Sequence, residues 1–255
     1  MGVLRRDPQR DVDGRGRRVL VPTFADNQGD PAWTRDGDAL ALFASFSDDS
    51  QIYAFWPKTH KLRLLGPRAA RSYEPTWSPD AKRIAFAEDW GPFGRTTEAT
   101  IKIVSLATNK RASVTKPKRN RIDVDPAWSP DGRTIAFARQ DHGPQTIYVT
   151  RPDGRATHRL TLGRSPSWSP DGKNLAFVRG GAIYRIGIDG QGRTRVVSGL
   201  VHPLVRWSPD GRKLLYTTGK NSGVDAWVVD VDGTHRRRVL HHEPIEGIAW
   251  RPGFG

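Results

Sequence analysis

The stretch Pro126-Ala-Trp-Ser-Pro-Asp-Gly-Arg-Thr-Ile-Ala-Phe137 decides the fold, because close copies of it recur along the whole chain. They read PAWTRDGDALALF from Pro31, PTWSPDAKRIAF from Pro75, PSWSPDGKNLAF from Pro166 and VRWSPDGRKLLY from Val205, with a truncated IAWRPG from Ile248. Their tryptophans are Trp33, Trp77, Trp128, Trp168, Trp207 and Trp250. They recur at roughly 40 to 50 residues, the period of a four-stranded propeller blade.

Each copy reads as strand, turn, strand. In SPDG the proline presets φ, the aspartate bonds its own backbone and the glycine takes a conformation that a side chain resists. The flanking Trp and the Ile-Ala-Phe type run favour a pleated, buried surface. A third strand follows in QTIYVT from Gln145 and GAIYRI from Gly181, and a corner such as RPDGRA or DVDGTH leads into a fourth, as in HRLTL from His158. Four antiparallel strands repeated in this way predict an all-β chain, a closed ring of blades. Five blades run over about 31–70, 75–124, 126–164, 166–200 and 205–245. The segment DVDGRGRRVL from Asp11 nearly repeats DVDGTHRRRVL from Asp230, so residues 1–24 are expected to supply outer strands and 246–255 an inner strand of a sixth blade. Gly2 to Arg6 is the candidate for its missing second strand. The expectation is therefore a single six-bladed β-propeller domain over residues 1–255, closed by sharing its last blade between both ends of the chain.

Composition narrows the function. No apolar run approaches the roughly 18 residues that cross a bilayer, and MGVLRRDPQR lacks the apolar core of a secretion signal. The absence of cysteine excludes disulfides, thiolate ligands and cysteine nucleophiles. A net charge of +14 needs its own account. Many cations fall on fourth strands and the corners feeding them, among them Lys61, Arg63, Arg155, Arg159, Arg193, Arg195 and Arg236 to Arg238. Charges on an outer strand block edge-to-edge association, and they equally suit peripheral contact with an anionic surface. Nucleic acid is disfavoured, since no recognition helix, RNA-binding aromatic signature or zinc spacing is present.

Topology then sorts the loops. First-to-second and third-to-fourth turns share one regular face, whereas second-to-third links and blade crossovers share the other. Loops on a rigid scaffold are where binding concentrates, so the irregular face is the functional candidate. There Trp90 and Phe93 lie in a glycine-rich loop near the basic Lys118, Arg119 and Arg121, with His202 close to the channel entrance. Aromatics beside arginines have the composition of a binding hot spot, and a loop folding its aromatics back onto the blade is the competing account. Three residues before each tryptophan stand Asp30, Glu74, Asp125, Ser165, Leu204 and Gly247. The three consecutive carboxylates repel one another unless a cation or hydrogen-bond donors neutralise them, which suits either calcium or magnesium ligation or bonding to loop amides. Asp123 and Glu246 are close enough in sequence to join them.

The repeated P-x-W-S-P-D-G-x-x-I-A-F with its I-Y strand and D-G corner resembles the propeller repeat of the TolB family over essentially the whole chain. That resemblance implies a periplasmic or extracellular address and a monomeric scaffold that binds a protein, peptide or glycan at the channel mouth. Similar blades also serve in propellers attached to peptidases, in polysaccharide lyases and in sensors, so fold alone does not fix function. The alternatives are a metal-assisted lyase or hydrolase over Asp30, Glu74, Asp125 and His202, and a ligand-sensing ectodomain of a membrane protein. No G-x-S-x-G elbow supports serine hydrolysis, and no catalytic constellation is legible.

Overall fold

In the computed structural model, residues 8–9, 18–19, 25, 27–46, 49–66, 70–89, 97–199, 204–220, 223–243 and 247–251 are described, and they contain no helix. A short ribbon pairs β1 (Pro8–Gln9) with β2 (Arg18–Val19). Five four-stranded meanders follow. The first runs β3 (Asn27–Trp33), β4 (Leu40–Phe46), β5 (Asp49–Trp56) and β6 (Lys61–Leu64), and the second β7 (Arg71–Trp77), β8 (Arg83–Asp89), β9 (Ala99–Ser105) and β10 (Arg111–Ser113). The third comprises β11 (Arg121–Trp128), β12 (Ile135–Asp141), β13 (Thr146–Thr150) and β14 (His158–Leu162). The fourth is β15 (Arg164–Trp168), β16 (Asn174–Arg179), β17 (Ala182–Gly187) and β18 (Thr194–Val197), and the fifth β19 (Val205–Trp207), β20 (Lys213–Lys220), β21 (Gly223–Asp230) and β22 (Arg237–Glu243). Every ladder within a meander is antiparallel and joins strands consecutive in sequence; a single parallel bridge, Ile122 with Ala99, links the second and third sheets.

The sheets stack face to face, and apolar side chains fill the gaps. Ile52, Ala54 and Leu65 of the first sheet meet Trp77, Ile84 and Phe86 of the second. Ala87 and Ile101 meet Trp128 and Phe137 of the third, and Ala136 and Ile147 meet Trp168 and Phe177 of the fourth. Ala176 and Ile183 then meet Leu214 and Tyr216 of the fifth. One aromatic on the second strand of each of the last four sheets, Phe86, Phe137, Phe177 or Tyr216, is completely buried against the sheet before it. The repeat encodes this directly, since the position that alternates inward on the second strand is the Phe of Ile-Ala-Phe.

The SPDG turns are built alike. In the third sheet Ser129 Oγ donates to Asp131 Oδ1 at 2.6 Å, and the same carboxylate accepts the Arg133 amide at 3.0 Å. Ser169 with Asp171 and Ser208 with Asp210 repeat this at 2.5 Å. The hydroxyl bond, above all, holds the Asp131, Asp171 and Asp210 carboxyls below the ordinary aspartate value. Gly132, at φ 70°, packs where an added Cβ would lie 3.5 Å from Pro79 Cδ of the preceding turn, so these turns also stack sheet on sheet. The second sheet carries Ala81 at the equivalent place, in the left-handed region at φ 54°.

The C-terminal copy departs from expectation. Residues 247–251 form no ladder, although the sequence pattern predicts an inner strand there. The candidate for its partner strand, Gly2 to Arg6, lies outside the described residues. The segment is nonetheless held in place. Trp250 Nε1 donates to Arg206 O at 3.2 Å, Ile248 is buried against Leu215 and Val228, and the Arg251 guanidinium lies 4.8 Å from the centre of the Trp33 ring.

Candidate functional site

The inner strands carry a shared irregularity three residues before each tryptophan. Asp30, Glu74, Asp125 and Ser165 sit at φ 48°, 55°, 53° and 49°, and each precedes a proline. A following proline disfavours the right-handed helical region, and the left-handed step breaks the ladder. Register shifts accordingly fall between Gly29 and Ala32, Tyr73 and Thr76, Val124 and Ala127, and Arg164 and Ser167. The fifth inner strand has Leu204 before Val205 rather than a residue before proline, and its ladder runs without a shift. The bulge thus sets the three acidic side chains about a common cavity.

That cavity measures about 270 Å³ and is lined by residues of all six repeat copies, from Pro31 and Glu74 through Asp125 and Ser167 to Arg206 and Trp250. Around it the sheets are tied by a relay of hydrogen bonds. Glu74 Oε2 accepts the Asp125 amide at 2.6 Å, and Asp125 Oδ2 accepts the Ser165 amide at 2.9 Å and its hydroxyl at 3.3 Å. The tryptophans tie the same neighbours. Trp77 Nε1 donates to Ala32 O and Trp168 Nε1 to Ala127 O, both at 3.0 Å.

Glu74 faces the cavity and is half-buried. Burial, then the charges of Asp125 and Asp30, push its carboxyl well above the ordinary glutamate value. A carboxyl raised in the folded state contributes stability that is full at low pH and fades as pH rises through the raised value. Glu74→Gln keeps an acceptor for the Asp125 amide and removes the penalty of ionisation. Its melting temperature is therefore expected to match wild type near pH 4, about the ordinary glutamate value, and to exceed it increasingly towards neutrality. A difference that stays flat across that range, measured by thermal melts in a pH series, rules the account out.

Arg206 faces the same cavity from the fifth sheet, its Nη1 donating to Val205 O at 2.9 Å. Sequence reasoning passed over it. The signal was available, because the residue before tryptophan is Ala32, Thr76, Ala127, Ser167 and Ala249 in the other copies, and an arginine there breaks the pattern. The cavity is consequently bipolar, acidic along the first three sheets and basic on the fifth.

Other expected residues divide. Trp90, Phe93, His202 and Glu246 lie outside the described residues. Lys118 and Arg121 converge on Asp141 Oδ2 at 3.2 and 2.9 Å, while Arg119 between them is exposed. Asp123 does not join the acidic group at the cavity: Arg139 takes its carboxylate through two bonds, Nε to Oδ1 at 2.6 Å and Nη2 to Oδ2 at 2.8 Å. Among the described residues no three acidic or histidine side chains stand close enough to hold a metal ion. A calcium or magnesium site at Asp30, Glu74 and Asp125 would need further oxygen ligands.

Comparison with known proteins places this geometry. The family described as the TolB beta propeller domain matches residues 92–252. The "Protein TolB homolog" of Chlorobium luteolum is 31% identical over 128 residues, covering 50% of this chain and 27% of that protein. The "Probable dipeptidyl-peptidase 5" of Arthroderma benhamiae is 23% identical over 191 residues, 68% of this chain and 26% of that protein. The chain thus spans about a quarter of the length of these curated relatives. Among solved structures, a putative TolB from Agrobacterium tumefaciens superimposes with a TM-score of 0.79 at 20% identity, covering 96% of this chain and 92% of that one.

Proposed function

The chain belongs to the TolB beta propeller domain family, and from that premise we propose that it is a six-bladed ring working as a non-catalytic binding scaffold. Its partner, a protein, peptide or glycan, docks on the irregular loop face at the mouth of the central cavity and reaches into that cavity, whose lining runs through to Pro130, Pro170 and Pro209 of the SPDG turns. Closure of the ring is supported by the C-terminal segment reaching the first blade, where a Cβ on Gly247 would lie 2.6 Å from Pro31 Cδ and where Arg251 stacks on Trp33. A monomer in the periplasm or outside the cell suits this reading. Among the described residues no helix is long and apolar enough to cross a membrane.

The observation that carries the proposal is the bipolar cavity. Carboxylates on one wall and Arg206 on the other, between walls of proline and tryptophan, give apolar contact with a few oriented polar groups, which is the make-up of a recognition site. The test is selection of ligands from a random peptide library and a glycan array on the immobilised chain. Arg206→Ser and Trp90→Ala are each expected to weaken the selected ligand by about thirtyfold, as at an interface hot spot, with the melting temperature unchanged. Ligands insensitive to both substitutions, or none selected, count against the scaffold reading.

A further inference from the structure

The rim opposite the cavity carries a second, separate feature. Arg159, Arg195 and Arg238 occupy one register in the third, fourth and fifth sheets, pairing across the outer ladder with Tyr148, Tyr184 and Trp227. In all three the ladder shifts immediately before that aromatic, between Ile147 and Tyr148, Ile183 and Tyr184, and Ala226 and Trp227. Such bulges re-aim side chains at an edge. The first and second sheets lack the arrangement, having Tyr53 opposite Leu64 and Lys102 opposite Ser113 with no shift there. A device needed only to keep sheet edges apart belongs on every edge. Among the five described sheets this one is confined to an arc.

The arc is strongly basic. Arg155, Arg193, Arg236 and Arg237 flank the three arginines, and all seven are exposed. The outer strands HRLTL, TRVV and RRVLHHE hold one carboxylate, Glu243, at the far end of the last. Of the nearby acids, Asp153 lies 3.8 Å from Arg155, Asp225 lies 3.5 Å from Arg238 and 3.1 Å from His241, and Asp230 is taken by Lys213 at 2.5 Å and His235 at 2.8 Å. Consecutive blades bring these groups together: a Cβ on Gly233, in the corner before Arg236, would lie 2.7 Å from Val196 O, next to Arg195.

Three anionic partners can be told apart by shape and chemistry. A flat bilayer touches a convex rim over one blade, whereas a flexible chain follows it across three. Single-stranded nucleic acid is held largely by base stacking on aromatic faces. Here those faces are occupied, by Arg139 over Tyr148 at 4.7 Å, Arg193 over Tyr184 at 5.9 Å and Arg236 over Trp227 at 4.2 Å. Arg139 already gives its N–H edge to Asp123, whereas the exposed Arg193 and Arg236, stacked on their rings, present theirs for paired bonds to carboxylate or sulfate oxygens. We propose that the outer edges of blades three to five bind a flexible acidic polysaccharide, bearing uronate or sulfate groups along an extended chain.

The full chain is titrated with heparin as the probe over salt from about 50 to about 200 mM. The triple variant Arg159→Ser, Arg195→Ser, Arg238→Ser is expected to bind at least tenfold more weakly, with the slope of log affinity against log salt reduced by about one per arginine removed. A control triple with the same loss of charge on the turn face, Lys82→Ser, Arg133→Ser and Lys173→Ser, is expected to bind like wild type. Equal loss in both triples means bulk charge alone and overturns the proposal, as does absence of heparin binding at about 150 mM salt. Tighter capture of phosphatidylglycerol vesicles or of a single-stranded oligonucleotide through the same arginines also overturns it. Should the first triple not fold, the three single variants carry the test: each lowers the slope by about one, and no change in any of them refutes the assignment.

Discussion

Replacing Asp123 with alanine is expected to cost about 3–5 kcal/mol of stability, the penalty of breaking one side of a buried ion pair. Asp123 is fully buried and Arg139 nearly so, and the guanidinium also lies over the Phe137 and Tyr148 rings at 5.2 and 4.7 Å. Removing the carboxylate leaves that cation without its compensating charge in a low-dielectric setting. The sign of the double variant is the informative part. Asp123→Ala with Arg139→Met removes both charges, and most of the loss should be recovered, because two apolar groups replace a pair whose desolvation offsets much of its attraction. The exposed pair of Arg155 and Asp153, 3.8 Å apart, should by contrast be worth about 0–1 kcal/mol. Urea midpoints of Asp123→Ala, of the double variant and of Asp153→Ala decide it, and a loss in Asp123→Ala below about 1 kcal/mol refutes the buried-pair account.

Phe177→Ala is expected to cost a similar amount, about 3–5 kcal/mol, from lost apolar burial and the cavity left behind. The ring has no exposed surface and stacks on Tyr184 at 5.6 Å with 23° between planes. Collapse around the vacated space is hindered. Gly163 sits so close that a Cβ there would lie 2.6 Å from Phe177 Cδ2, and its φ of 149° already commits the backbone. Phe177→Leu, which keeps most of the volume, should cost markedly less. Equal losses for alanine and leucine would mean that ring stacking, not volume, dominates.

The five meanders were legible because a turn with a mechanism, SPDG, recurs at fixed distance from a tryptophan and a second-strand aromatic. The gathering of Asp30, Glu74 and Asp125 about a cavity was legible for the same reason, as equivalent places in equivalent units. What they do there was not. The amide relay depends on a left-handed step before proline, and the residue pair Glu74-Pro75 read alone does not say which donor the carboxylate meets. Lys118 and Arg121 look like free cations in sequence; Asp141, which gathers both, stands opposite Arg121 only because β11 and β12 pair in a particular register. Asp123 was drawn toward the acidic group by its proximity in sequence, and the same ladder places it across from Arg139.

Apart from the single Ile122–Ala99 bridge, each strand of the five sheets pairs only with the one before or after it in the chain. Bringing such neighbours together closes short loops, so little entropy opposes the first hairpins and local order can arise in any one sheet before the sheets stack. Energetically the molecule then behaves as a short array of coupled units, each sensing those beside it. Damage at Asp123 should loosen its own blade and the two adjoining ones, and amides in the first blade should keep their slow hydrogen exchange.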